Sequence, residues 1–220
     1  MKKKFDVETF ITHILKIFKK HLEIDKKQDA ILRYSLRLLI SSILAYAFAL
    51  LPALFFGTFK HVLITMLTFS TLRVFSGGAH CSCMLNCIAS GAVFANILGL
   101  ITKNIILNIN KSIILTIITF TFLYSLWSIG KFAPADTPGK PITTKAKKQK
   151  LKKMSLIVLC IWCFLCLICF ILFDKYIIFI LASTFGILWQ SFTLTNTGYK
   201  FYNIFDKILH IFFKEGDFPC

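Results

Sequence analysis

The segment Arg73-Val74-Phe75-Ser76-Gly77-Gly78-Ala79-His80-Cys81-Ser82-Cys83-Met84-Leu85-Asn86-Cys87 places an arginine, two glycines, a histidine and three thiols between two apolar stretches. A thiol attacks as its thiolate, and a histidine can take that proton and then hold the resulting ion pair. Ionisable groups beside hydrocarbon are costly, which marks such a segment as a functional candidate. Three readings of the pattern stand side by side: a thiol nucleophile served by His80, a metal site made of His80, Cys81, Cys83 and Cys87, and small thiols that merely pack between helices. The metal reading needs an irregular backbone, because adjacent Cys81 does not converge easily with the others.

Geometry limits the nucleophile reading. Cys83 stands one helical turn after His80 and Cys87 two turns after it. Seven residues of continuous helix rise about 10.5 Å, too far for a hydrogen bond. A His80–Cys87 pair therefore requires the helix carrying Cys87 to begin after the histidine. Ser82 is a suitable N-cap for such a helix, and Gly77-Gly78 lets the preceding chain fold back over its end.

The elements that must position this segment belong to a bilayer. Of 220 residues, 56% are hydrophobic and 16% charged, with a mean hydropathy of +0.72. A spanning helix needs roughly 20 apolar residues to cross about 30 Å of hydrocarbon. Such stretches recur at 34–56, 61–72 with flanking residues to 75, 84–101, 112–129, 154–173 and 176–194. The expectation is an all-α integral membrane protein forming a single membrane domain over 1–220: an arm at 1–33, a six-helix bundle at 34–195 holding a basic loop at 131–153, and a tail at 196–220. Val7, Phe10, Ile11, Ile14, Phe18 and Leu22 recur at helical spacing in the arm, as do Phe201, Ile204, Phe205, Ile208 and Phe212 in the tail. Both stretches read as amphipathic helices lying on the membrane surface.

The net charge is +16. No nucleic-acid-binding motif accompanies it, so its partners are expected to be anionic lipid or an acidic peptide rather than nucleic acid. With both termini inside, 22 Lys and Arg fall on the cytoplasmic side and only Lys60, Lys103, Lys111 and Lys175 outside. The positive-inside rule asks for that asymmetry, and it puts 73–87 at the cytoplasmic face. Most of the eight cysteines lie in or beside apolar stretches, so reduced thiols are expected. Cys160, Cys163, Cys166 and Cys169 share one continuous helix and read as packing residues, not cluster ligands. Gln190, Ser191, Thr193 and Asn196 read as interhelical hydrogen-bonding groups. A small transporter is the rival class without chemistry at the thiols, but the paired repeats and broken helices that would announce one are not seen.

At its reactive segment the chain resembles the accessory gene regulator B (AgrB) family of bacterial membrane peptidases. The resemblance rests on Arg73 with Gly77-Gly78-x-His80, on the cysteine seven residues after that histidine, on Ala133-Pro134-Ala135-Asp136-Thr137 followed by Lys140-Pro141, and on the six-span hydropathy. It implies a cysteine endopeptidase with His80 and Cys87 as the catalytic pair, Arg73, Gly77 and Gly78 in support, and offers Asp136 as a candidate third member, although an aspartate in a proline-bounded loop more often fixes a turn. It implies no cofactor and no metal. The implied substrate is an AgrD-like signalling peptide precursor, cut on its C-terminal side and closed into a thiolactone or lactone ring. The precursor's acidic end would meet Lys145, Lys147, Lys148 and Lys150, and the family also implies a homodimer.

Overall fold

The computed structural model describes residues 7–22, 24–105, 110–135 and 144–212. Among them the chain forms eight α-helices: α1 (Val7–His21), α2 (Lys26–Phe55), α3 (Phe59–Ser76), α4 (Met84–Ile105), α5 (Lys111–Phe132), α6 (Lys145–Leu172), α7 (Ile177–Thr193) and α8 (Asn196–Phe212). A 3-10 turn at Asp174–Tyr176 makes the tight link from α6 to α7.

The burial pattern is that of a bundle in lipid. Phe48, Leu51, Phe55, Phe120, Leu123, Phe164, Leu165 and Ile171 are exposed, whereas Thr65, Ser76, Thr121, Ser125, Ser128, Ser155, Thr184, Gln190 and Ser191 are buried. Hydrocarbon offers no competing hydrogen bonds, so polar side chains turn inward and small residues let helices approach closely. Gly186 on α7 illustrates the approach: a Cβ there would meet the Thr65 carbonyl at 2.5 Å. The Thr65 hydroxyl in turn donates to the Ala182 carbonyl at 3.0 Å.

Helix α3 lies at the centre, packed against α7, α4, α6 and α2. By length and hydropathy, α2, α4, α5 and α6 can each cross a membrane, and α7 with α8, bent by 90°, forms a fifth candidate if taken together. The expected second span, α3, does not meet that test. Its packing against four other helices accounts for this, since protein neighbours let it carry Thr65, Thr68, Ser70 and Arg73, all buried or half-buried.

Two further expectations are revised. Lys145 to Lys153, read as part of a loop, form the first turns of α6, with the Thr144 side chain accepting the Lys147 N–H as N-cap. A run of lysines signals solvation but not loss of helix, because lysine is a good helix former. The two amphipathic stretches also pack on protein as well as facing outward. Ile11 and Leu15 are buried where α1 meets α2, and Arg33 donates to Thr12 across that contact at 3.2 Å. In α8, Phe201 and Phe205 stack near Phe94 of α4, at 5.3 and 5.1 Å, while Ile204 and Ile208 stay exposed.

Candidate active site

Helix α3 ends at Ser76, with Gly77 as its C-cap at φ 68°, and α4 starts at Met84. The chain between them runs back along the bundle end, held by the Ala79 N–H donating to the Thr193 carbonyl at 2.9 Å. His80 therefore lies off the helix that carries Cys87, and Cys87 Sγ sits 3.7 Å from His80 Nδ1. The turn that brings them together uses two glycines with positive φ. A Cβ on Gly77 would collide with the Ala135 carbonyl, and one on Gly78 (φ 146°) would come within 2.6 Å of Thr193 Oγ1 and 3.0 Å of Arg73 Nη1.

Arg73, half-buried in the last turn of α3, reaches over this turn. Its Nη2 donates to the Ala79 carbonyl and lies 3.2 and 3.3 Å from His80 Nδ1 and Nε2. Its Nη1 donates to Gln190 Oε1 and Thr193 Oγ1, at 3.3 and 3.4 Å. The guanidinium also sits 5.2 Å over the Phe69 ring. Gln190, completely buried, donates to Ser76 Oγ at 3.0 Å and to the Gly77 carbonyl at 2.6 Å. The end of α7 thus holds both the arginine and the glycine turn. Gln190 and Thr193 were legible only as interhelical groups, because nothing in their spacing ties them to a turn more than 110 residues earlier.

The three thiols of the segment differ. Cys87 faces His80. Cys81 lies 3.7 Å from Ser90 Oγ, and its thiol is pushed well above the ordinary range by a hydrogen bond with Cys87, reinforced by burial. Cys81 thus keeps its proton and can donate it to the Cys87 sulfur. Cys83 is buried and disulfide-bonded, which departs from the expectation of reduced thiols and leaves it no S–H to ionise. Cys160, Cys163, Cys166 and Cys169 are free thiols on α6. Among the described residues no three His, Cys, Asp or Glu side chains converge in a way that could hold a metal ion.

A second part of the sequence pattern joins the site through its backbone. The Ala135 N–H donates to the Ser76 carbonyl at 2.8 Å, so the Ala133-Pro134-Ala135 segment, whose Ala133-Pro134 bond is cis, abuts the glycine turn. Asp136 lies outside the described residues. The sequence reading missed Asp206 on α8: its Oδ2 accepts the Ser82 N–H at 3.0 Å and its Oδ1 accepts Asn86 Nδ2 at 2.8 Å. An aspartate one turn after Tyr202, among lysines and aromatics, was the available signal. Lys145, Lys147, Lys148 and Lys150 are all exposed on α6, and no interaction joins them to His80 or Cys87.

The accessory gene regulator B family model matches residues 11–194. A protein of Clostridium perfringens strain SM101 named as AgrB-like is 31% identical over 129 residues, covering 58% of this chain and 60% of its own length. A second, named AgrB-like protein 2, from C. perfringens strain 13, matches to the same extent. The alignment thus spans less than two thirds of either relative, and no solved structure matches. With the model covering most of its length, this chain belongs to the accessory gene regulator B family.

Proposed function

We propose that the protein is a membrane cysteine endopeptidase acting on the precursor of a cyclic signalling peptide in quorum sensing. The observation that carries the reading is the 3.7 Å approach of Cys87 Sγ to His80 Nδ1, made by a histidine that has left the helix. The Arg73 guanidinium stands beside the pair, with its Nη2 3.2 Å from His80 Nδ1. Its charge favours a thiolate nearby.

The reaction follows from these groups. His80 takes the Cys87 proton as the sulfur attacks the precursor carbonyl. The tetrahedral adduct collapses by breaking the C–N bond, and the amine of the departing C-terminal fragment takes the proton from His80. Cys87 then holds the N-terminal portion as a thioester. An internal Cys or Ser of that portion attacks the thioester, closing a thiolactone or lactone and returning the proton to Cys87. The thioester conserves the activated acyl group only if water is kept away. The buried turn beneath His80, with Gly78 and Ala79 both buried, supports such shielding on one side.

The same reading takes α2 to α7 as six spans with both termini and the reactive turn at the cytoplasmic face of the cell membrane, following the charge asymmetry. It includes a homodimer, an AgrD-like precursor as partner, and contact with anionic lipid. Asp136 is retained as a candidate third member of the site. The direct test is a precursor whose internal Cys or Ser is replaced by alanine, so that ring closure is blocked. A hydroxylamine-labile adduct mapped to Cys87 by mass spectrometry is the expected result. An adduct on Cys81, or cleavage abolished by a chelator and untouched by thiol alkylation, overturns the reading.

The lysine cluster supports an acidic partner. Six lysines lie within the first nine residues of α6, the helix end where the dipole disfavours cations. Reversing Lys145, Lys147, Lys148 and Lys150 to glutamate is expected to raise KM for the precursor by about tenfold at low salt. The effect should fade near 1 M salt, where the Debye length is about 3 Å. Steady-state cleavage at two ionic strengths in detergent or liposomes checks this, with N-terminal tagging to confirm that topology is unchanged.

A further inference from the structure

We propose that Asp206 is a positioning residue for the His80–Cys87 pair, so that α8 is a working part of the site and not only a surface helix. The inference rests on the endopeptidase reading of that pair. Asp206 is nine-tenths buried and its two oxygens hold two different parts of the reactive segment. Oδ2 accepts the N–H of Ser82, two residues after His80, and Oδ1 accepts Nδ2 of buried Asn86, the residue before Cys87. One carboxylate therefore fixes the off-helix segment carrying His80 relative to the first turn carrying Cys87. That offset is the quantity the reaction depends on, because the pair meets only when the segment folds back over the helix start.

The carboxylate suits this place. It lies at the N-terminal end of α4, where a negative charge is favoured and backbone N–H groups lack helical partners. Hydrogen bonds to an ionised acceptor are the stronger kind. Helix α8 is itself packed on the bundle: Phe201 and Phe205 lie against Phe94, and Trp189 of α7 meets Phe201 at 5.8 Å. Asp206 is thus anchored through its own helix to both α4 and α7, the two elements that carry Cys87 and the Arg73 partners. It also lies beyond residues 11–194, so the family match does not reach this contact.

The test exploits the donor and acceptor pattern. Asn at 206 has one acceptor to offer the Ser82 and Asn86 donors, so Asp206→Asn loses one of these two bonds. In the exchange variant Asn86→Asp with Asp206→Asn, the new amide donates to the new carboxylate and its oxygen still accepts the Ser82 N–H. Three proteins, the two single variants and the exchange, are compared in membranes at matched abundance for precursor cleavage and for the alkylation rate of Cys87, mapped by mass spectrometry. Each single variant should lower kcat about a hundredfold, the cost of misplacing a reacting group by about 1 Å, with KM little changed. Each should also slow Cys87 alkylation, and the exchange should restore both. Single variants with wild-type kcat and alkylation overturn the proposal, as does an exchange no better than either single. Alkylation reports the position of the thiol without any substrate. A failure of the endopeptidase reading would therefore show as unchanged cleavage in Cys87→Ala, whatever Asp206 does.

Discussion

Cys87→Ala is expected to leave the precursor whole, and His80→Ala to slow its cleavage by about a thousandfold, within the range that a positioned acid–base group supplies. The two differ because their losses differ. Without Cys87 there is no sulfur to carry the acyl group, and no neighbour can replace it. In that variant Cys81 has lost its hydrogen bond with Cys87, but burial still pushes its thiol up and its sulfur lies against Ser90 Oγ, not His80, while Cys83 is disulfide-bonded. Without His80 the thiol remains, still beside Cys81 and Arg73, so a residual cleavage should persist where Cys87→Ala shows none. Cys81→Ala removes a single hydrogen bond from the sulfur, worth about 1 kcal/mol. It should keep cleavage within about tenfold of the native rate. Co-expression of each variant with the precursor, followed by mass spectrometry of intact and cut peptide, separates the three. Full cleavage by Cys87→Ala, or loss in Cys81→Ala as deep as in Cys87→Ala, would assign the chemistry elsewhere.

The parts of this site that were legible in the sequence are those that local geometry dictates. A seven-residue offset forbids a His80–Cys87 contact within one helix, and the chain duly starts α4 at Met84. The polar residues of α7 were visible as buried donors and acceptors, but not their target, since Gln190 and Thr193 act on a turn that only the tertiary packing of α3 against α7 brings near. Asp206 was hidden for a different reason. Periodicity identifies an apolar stripe without saying whether lipid or protein covers it, and α8 divides its stripe, with Phe201 and Phe205 on protein and Ile204 and Ile208 outward. Once one flank of the helix is inside, a neighbouring carboxylate can be inside too. Helix α3 misleads hydropathy in the opposite direction, because its polar residues are paid for by partners such as Ala182 and Gln190 that lie far along the chain.

Gly78→Ala is expected to cut cleavage by about a hundredfold or more while the protein still reaches the membrane. At φ 146° an L-residue is strained, and the added methyl would stand 2.6 Å from Thr193 Oγ1 and 3.0 Å from Arg73 Nη1. The Thr193 hydroxyl, the nearer atom, must give way, and because it accepts from Arg73 Nη1 the guanidinium loses that anchor and is itself crowded by the methyl. Its Nη2 is also the atom beside both ring nitrogens of His80, so the displacement passes directly to the base. Gly77→Ala should act differently. Its methyl would strike the Ala135 carbonyl, a backbone atom that cannot step aside, so the junction of α3 with the Ala133–Ala135 segment must open and abundance should fall along with activity. Gly91→Ala provides the reference: nothing lies within 4 Å of its Cβ position, and alanine in mid-helix is favoured over glycine by about 1 kcal/mol. Quantifying each variant in isolated membranes beside its cleavage rate distinguishes a displaced arginine from a broken junction. If Gly78→Ala cleaves at the native rate, Arg73 does not set the position of His80. If it loses abundance as Gly77→Ala does, the turn serves folding before chemistry.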